Sequence, residues 1–413
     1  TAVKTYRWTN EAPEDISWDG TDDGGALAKD GIFGYSLTST DRAGNSFSYS
    51  FDTIELNTVD TPLTVSLANQ FLSPNGDGAQ DTVLISLAQN VEEDIVEWRV
   101  VVDDGAGTVV RTFGGSSNPP KDIVFDGMND AGQPIAEGDY RVLYTLLYEN
   151  GNNPGAAQTF LVDVSDPVIS IAYDSEFISP NGDGRKDEIE VSFKSNEIVT
   201  WTGTFSDSSG KTVMSTNSGQ TTSLVVWRGT DLSGNMLGEG VYTAVASFTD
   251  RAGNVYTTPK GSFVIDLTAP QVTFDVDKTY FSPDGDGIKD TVTARFTSNE
   301  PVRGLLSISD TAGRDMGTLG GYGRAVQPIE GSFDYTWGGI SGSGLYIPDG
   351  AYVVSSTYED RAGNRLELPD VDLVVDTRQA AVRISAPKGF SPNGDSVQDT
   401  LAVDVDAAFY DTV

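Results

Sequence analysis

Four stretches of this sequence set oxygen-bearing side chains on alternate residues: FLSPNGDGAQD at 71–81, FISPNGDGRKD at 177–187, FSPDGDGIKD at 281–290 and FSPNGDSVQD at 390–399. Counting Ser73 as position one puts Asn75 at three, Asp77 at five, Gly78 at six, the carbonyl of Ala79 at seven and Asp81 at nine. These are the ligand offsets of the first part of an EF-hand loop, where hard oxygens converge on one Ca2+ and glycine permits the sharp turn. The second stretch offers Ser179, Asn181, Asp183, the carbonyl of Arg185 and Asp187, and the third offers Ser282, Asp284, Asp286, the carbonyl of Ile288 and Asp290. The fourth offers Ser391, Asn393, Asp395, the carbonyl of Val397 and Asp399, with Ser396 where glycine is expected. An EF-hand closes with a bidentate glutamate at position twelve, and here that position falls on Leu84, Glu190, Thr293 and Ala402. A cation would therefore need further oxygens from elsewhere in the domain or from water. The competing reading needs no metal: Asn and Asp fold the loop through Asx-turn hydrogen bonds, and glycine takes positive φ.

Other chemistries are excluded by composition. The 413 residues include no cysteine and no histidine, which removes disulfides, thiolate nucleophiles, imidazole-ligated zinc and any triad with a His base. With 61 acidic against 26 basic residues the formal net charge is −35. No basic stripe offers itself to nucleic acid; divalent cations or a basic partner suit the surface better, and the bulk charge also serves solubility. No run of 18 apolar residues is present, so no membrane insertion is expected. The opening TAVKTYRWTN has no signal-peptide pattern. A cysteine-free chain suits export into an oxidising space, and the expected location is extracellular, cell-surface or periplasmic. Carboxylate pairs are abundant, but none stands in an unrepeated context, so no enzyme is expected.

The elements that must position the four loops repeat with them. Ser73, Ser179, Ser282 and Ser391 lie 106, 103 and 109 residues apart, a period of one small domain per repeat. Each of the first three loops is followed by an aromatic-x-Gly (Phe125–Gly127, Trp227–Gly229, Trp337–Gly339), then Gly-x-Tyr (Tyr140, Tyr242, Tyr352). The phrase DRAGN stands at 41–45, 250–254 and 360–364, with Glu149-Asn150-Gly151-Asn152 in its place in the second repeat. It suits a tight turn between the last two strands, or it makes Asp41, Asp250 and Asp360 ligands or contacts to a neighbouring repeat. The boundaries read as 1–60 (back part of a repeat, with Trp18, Gly20 and Phe33), 61–165, 166–268, 269–378 and 379–413 (front part of a repeat). The two incomplete ends look like a window cut from a longer array; their mutual completion across neighbouring chains is the other expectation.

Between these marks the segments are short and rich in Val, Ile, Thr, Tyr and Phe, with partial alternation. D-x-x-G at 104–107, 207–210 and 310–313 suits a hairpin after the third strand. Six or seven strands per hundred residues predict tandem antiparallel β-sandwiches of immunoglobulin or fibronectin-III type, with Trp18, Phe125, Trp227 and Trp337 as core anchors. The Gly-x-Tyr tyrosines fit a tyrosine corner. Joints such as VDTP at 59–62, VSDP at 164–167 and IDLTAP at 265–270 are short and carry proline, which favours an extended rod that sets distance.

The order F-S-P-N-G-D-G-x-x-D, W-x-G, G-x-Y resembles bacterial Ig-like domains of two kinds: that of the flagellar hook-capping protein, and the gliding-motility-associated C-terminal domain that directs substrates to type IX secretion. The resemblance covers every repeat and implies a β-sandwich in a large exported, periplasmic or surface protein. The secretion-signal kind normally occurs once, at a C-terminus, whereas these repeats are tandem and carry DRAGN, which favours a structural or adhesive rod whose partners are neighbouring repeats, possible self-assembly or a surface protein. The rival readings are a secretion or anchoring domain and a module array binding carbohydrate or protein, with Trp98 and Trp201 on equivalent strand positions (Gly304 replaces them in the next repeat) as exposed contacts or as core.

Overall fold

A computed structural model describes every residue except 12–14, 220–221, 322–328, 342 and 409–413. In the last segment Ala381–Ser385 pairs with Asp404–Ala408, and 409–413 lie outside the described residues. No helix occurs among the described residues. The chain divides into two compact units, one of residues 1–168, 197–199 and 249–256, the other of 169–196, 200–248 and 257–413.

In the first unit a complete sandwich forms from alternating apolar strands. One layer has three antiparallel strands, Leu63–Leu67, Val83–Gln89 and Asp122–Phe125. The other runs Phe71–Leu72, Gly155–Val162, Gly138–Tyr148, Ile95–Asp103, Val109–Gly115. Its short first strand pairs in parallel with Gly155–Val162, and the remaining pairings are antiparallel. Successive side chains of a strand point to opposite faces, so Tyr140, Val142, Tyr144, Leu146 and Tyr148 all enter one core, where they meet Val83, Ile85, Leu87, Phe125 and Phe160. Three strands facing five is the sandwich that the strand count predicts. Residues 31–56 of this unit form a separate hairpin, Gly31–Thr40 against Ser46–Leu56.

The second unit repeats the plan. Ile169–Tyr173, Ile189–Ser195 and Thr222–Trp227 form one layer, over a core of Ile178, Ile189, Phe205, Trp227, Tyr242 and Phe263. Further along, one continuous strand, Val292–Asp310, serves both layers. Its first half pairs with Val272–Val276 and Ile329–Trp337, and its second half with Gly350–Glu359 and Asp315–Gly321. The register shift between Ser298 and Val302 brackets Glu300 at the crossing.

The repeated motifs turn out to be one packed corner. The prolines of two SPNG loops and of the SPDG loop lie on the glycines that end the aromatic-x-Gly motifs. A Cβ on Gly127, Gly229 or Gly339 would come within 2.6, 2.9 or 2.8 Å of Pro74, Pro180 or Pro283. The indole nitrogens of Trp227 and Trp337 donate to the carbonyls of Thr230 and Ile340. The tyrosine corners are present, with Tyr140, Tyr242 and Tyr352 donating to the carbonyls of Ala136, Gly238 and Pro348 at 2.9, 2.9 and 2.7 Å. The D-x-x-G hairpins close as expected, Asp104, Asp207 and Asp310 each accepting backbone N–H bonds from residues two and four further on.

Candidate functional site

Each of the four loops is folded by its own side chains. Asp81 accepts from the amides of Gly76 and Gly78 at 2.7 and 2.8 Å, Asp77 from Ala79 at 2.7 Å, and Asn75 from Asp77 at 2.9 Å. Asp187, Asp183 and Asn181 repeat this pattern on Gly182, Gly184, Arg185 and Asp183. Asp290, Asp286 and Asp284 repeat it on Gly285, Gly287, Ile288 and Asp286. In the fourth loop Asp399 accepts from Asn393, Gly394 and Ser396, Asp395 from Val397, and Asn393 from Asp395; these amide bonds hold the carboxyls of Asp395 and Asp399 below the usual range. Ser396 occupies the glycine position at φ 68°. The carboxyl oxygens of Asp284, Asp286 and Asp290 come within 4.8 Å of one another. This loop carries Asp284 where the other three carry Asn.

The serine at position one has a different role. In the first unit Ser73, fully buried, donates from Oγ to Oδ1 of Asn254 at 2.6 Å. Asn254 is the last residue of a DRAGN turn, and its Nδ2 donates to Asp250 Oδ2 at 2.8 Å and to the carbonyl of Asp163 at 2.9 Å. The Gln80 side chain donates to the carbonyl of Arg251, and the Arg251 guanidinium lies 5.6 Å over the Phe71 ring. Gly253 at φ +94° lets the turn approach Ala79, whose Cβ would be 3.1 Å from any added Cβ. In the second unit Ser179, also fully buried, donates to Asn364 Oδ1. Asn364 Nδ2 donates to Asp360 and to the carbonyl of Asp266 at 2.8 and 3.0 Å. Lys186 donates to the carbonyl of Arg361, and Arg361 lies 5.5 Å over Phe177. DRAGN is thus both a turn and a docked tip. Its third copy forms the same turn through Asp41 and Asn45 but is exposed throughout.

Beside each docked tip three carboxylates converge: Asp163, Glu197 and Asp250 in the first unit, and Asp266, Glu300 and Asp360 in the second, with ligand oxygens within 4.8 Å of one another. Asp250 and Asp360 are buried, and the other four are half-buried. Burial, then the neighbouring Asp250 and Glu137, pushes the Asp163 carboxyl up; burial, then Asp163 and Asp250, does the same to Glu197. Asp266 is raised by burial, Asp360 and Glu239, and Glu300 by burial, Asp266 and Asp360. The donor set fits a hard divalent cation: oxygen ligands only, brought together despite mutual repulsion. Of these residues the sequence reading singled out only Asp250 and Asp360. The signal for the others was present: Ser-Asn-Glu recurs at 195–197 and 298–300, and an aspartate follows the last strand at 163 and 266.

The chain just after each trio is also held. Glu137 accepts from the Val164 amide and the Ser165 hydroxyl at 3.0 and 2.6 Å, and Glu239 from the Leu267 amide and the Thr268 hydroxyl at 3.0 and 2.5 Å. Trp201 is 5 % exposed and packs against Phe193 and Phe248, while Trp98 lies half-buried on the core of its sandwich. Core packing therefore accounts for both tryptophans, and Gly304 in the next repeat faces the Tyr358 ring.

No protein-family profile matches the chain, and a search of curated proteins found no match. Among solved structures it is similar to a tetra-tandem repeat in the extending region of a large adhesion protein (19% identity, 87% of this chain and 84% of that one, TM-score 0.29). It is also similar to a Ca2+-stabilized adhesin that helps an Antarctic bacterium reach out and bind ice (17%, 84% and 82%, TM-score 0.30). A third likeness is to fibronectin(III)-like modules of Clostridium thermocellum CbhA (13%, 49% and 92%, TM-score 0.28). With TM-scores under 0.5, none of these likenesses bears on what this chain does.

Proposed function

We propose that this chain is a non-catalytic structural segment of an exported or surface protein, in which β-sandwich repeats are joined by docked turns and braced by Ca2+. The observation that carries the reading is that one joint is built twice. Ser73 and Asn254 are 181 residues apart, Ser179 and Asn364 are 185 apart, and each pair stands beside an equivalent carboxylate trio. A spacer needs its joints to resist bending, and a buried hydroxyl–amide bond with an arginine stacked over an aromatic ring supplies that resistance.

A bound divalent cation would neutralise the converged carboxylates and tie the linker aspartate (Asp163, Asp266) to the docked tip (Asp250, Asp360). The trio of Asp284, Asp286 and Asp290 is the third place where the donor chemistry suits it. Extracellular calcium modules hold the ion at about 10⁻⁴–10⁻³ M, an affinity suited to a surface protein. The loops at 73–81, 179–187 and 391–399 are supported less as metal holders, because each has an asparagine (Asn75, Asn181, Asn393) in the place of Asp284 and so brings only two carboxylates together.

Thermal melts of the whole chain with Ca2+, with Mg2+ and with chelator test the reading. Ligand that binds only the native state at 100 times its dissociation constant adds about 2.7 kcal/mol per site. The expected result is a rise with Ca2+ that Asp250→Asn and Asp360→Asn each reduce and Asp41→Asn leaves unchanged. Identical melts in all three conditions would remove calcium from the proposal and leave joints held by hydrogen bonds alone.

A further inference from the structure

Each docked tip lies on a parallel strand pair. Phe71–Leu72 runs beside Leu161 and Val162, and Phe177–Ile178 beside Val264 and Ile265. Backbone bonds continue both pairs. The amides of Leu161 and Asp163 donate to the carbonyls of Gln70 and Leu72 at 2.9 and 3.0 Å, and those of Val264 and Asp266 to Glu176 and Ile178 at 2.8 and 3.0 Å. Parallel strands end side by side, so the residues that follow them, Ser73 and Asp163, are neighbours. Asn254 spans the two, accepting from Ser73 Oγ at 2.6 Å and donating to the Asp163 carbonyl at 2.9 Å. Asn364 spans Ser179 Oγ and the Asp266 carbonyl in the same way, and both asparagines are buried. Arg251 and Arg361 cover Phe71 and Phe177, the first residues of the same short strands. Each tip thus adds one side-chain rung to a backbone ladder that belongs to the preceding repeat.

We propose that this rung is a mechanical latch, through which each of these tips strengthens the preceding sandwich against tension. The chain enters the first sandwich ahead of Phe71 and leaves it after Val162. Tension therefore draws the short strand toward its amino end and Gly155–Val162 toward its carboxyl end. Parallel strands pulled in opposite directions must slide, which loads every bond between them together. An antiparallel pair pulled from adjacent ends would instead open one bond at a time. Sliding carries Ser73 away from Asp163, so Asn254 has to release one of them as the backbone bonds part. Phe71–Leu72 brings only two residues to the ladder, so one added rung is a large share of its resistance. The inference rests on reading the docked tips as joints, and calcium has no part in it.

Force spectroscopy of the whole chain, tethered at its two ends in chelator, tests the latch. A sandwich that yields releases about 35 nm of chain, roughly a hundred residues at about 3.3–3.6 Å each, and its lifetime at fixed force reads its unfolding rate. Asn254→Ala should make one class of event at least about fivefold faster, the loss of one net hydrogen bond. Asn364→Ala should do the same to another class. Ser73→Ala keeps the tip, removes only the donor and should shorten the same lifetime as Asn254→Ala. Asn235→Ala is the control: Asn235 Nδ2 donates to Asp231 Oδ2 at 3.2 Å in a turn of the same kind, outside both parallel pairs. It should leave every lifetime within about twofold. Core-strand amides whose hydrogen exchange at zero force is unchanged in each variant separate a lost latch from a weakened sandwich. Lifetimes that neither Asn254→Ala nor Ser73→Ala shortens, or that Asn235→Ala shortens equally, would overturn the inference, as would core amides that accelerate alongside. Ca2+-dependent melts that persist beside such a result would leave the joints standing without a mechanical role.

Discussion

Replacing Asn254 by alanine removes the one side chain that touches loop, tip and linker together. Four hydrogen bonds go with it, from Ser73 Oγ at 2.6 Å, from Asn75 Nδ2 at 3.3 Å, to Asp250 at 2.8 Å and to the Asp163 carbonyl at 2.9 Å, and the fully buried Ser73 hydroxyl loses its acceptor. At about 0.5–1.5 kcal/mol net per bond, with an added penalty for a buried group left unpaired, the joint should weaken by about 2–4 kcal/mol. The sandwich core of Val83, Val100, Val142 and Tyr144 is not involved, so the loss is local opening rather than global unfolding. Native-state hydrogen exchange of the whole chain reads this directly. The amides of 250–254 and of the 73–81 loop should exchange roughly 30- to 700-fold faster, while those of strand Gly138–Tyr148 keep their rates. Asn45→Ala is the internal control, because the same residue in the same turn is exposed there and should change exchange by less than about threefold. Equal effects at 254 and 45, or acceleration spread through the core strands, would refute the assignment of Asn254 as the joint's bridging residue.

Two further outcomes follow from the same geometry. The raised carboxyls of Asp163, Glu197, Asp266 and Glu300 bind protons more tightly in the native state than unfolded, so in chelator stability should fall as pH rises from the ordinary carboxylate values of 3.8 and 4.5 through the raised ones. Below that window the sign reverses, because Glu137 and Glu239 are held low, first by the Ser165 and Thr268 hydroxyls, and their contribution is lost on protonation. Denaturant titrations across pH should show a maximum near the junction of the two windows, and Asp163→Asn with Asp266→Asn should flatten the upper limb; an unchanged upper limb would show that the trios do not set it. Separately, Gly127→Ala places a Cβ 2.6 Å from Pro74 at φ +70° and should destabilise by about 1–3 kcal/mol. It should exceed Gly107→Ala, where φ is +98° but the space is open, and equal losses at both would mean that the proline contact is unimportant.

The sandwich was legible because its signals are local. Alternation along Gly138–Tyr148, the D-x-x-G turns and the tyrosine two residues past a glycine each specify an element within ten residues, and all three formed as read. Val292–Asp310 departs from the pair of strands at the same place in the first unit, Val83–Gln89 and Ile95–Asp103: the register shifts between Ser298 and Val302 without breaking the strand. Loop spacing was a weaker guide. Alternate oxygens at 73, 75, 77 and 81 match metal-ligand offsets and Asx-turn offsets equally, since both require side chains that fold back on successive backbone groups. Asp81 accepts from the amides of Gly76 and Gly78, the bonds that fold the loop.

The trios were hidden for a different reason. Asp163 ends a strand, Glu197 sits in a strand connection and Asp250 opens a hairpin turn, so no window of sequence contains them together. What brings them together is the periodicity itself. A motif that repeats once per domain places a donor on one repeat and its acceptor on the next, about 180 residues away. The serine of the loop and the asparagine of DRAGN are therefore halves of one device, and neither has a complete explanation within its own domain. The joint at 57–62 shows what happens when the halves differ. Asn57 stands where Asp163 and Asp266 stand elsewhere, and the turn is Glu149 to Asn152, yet Asn152 Nδ2 still donates to the linker carbonyl of Val59 at 3.3 Å. The asparagine bridge survives there without the linker aspartate. The contact from asparagine to a linker carbonyl thus occurs at three joints, and only two of them also bring three acids together.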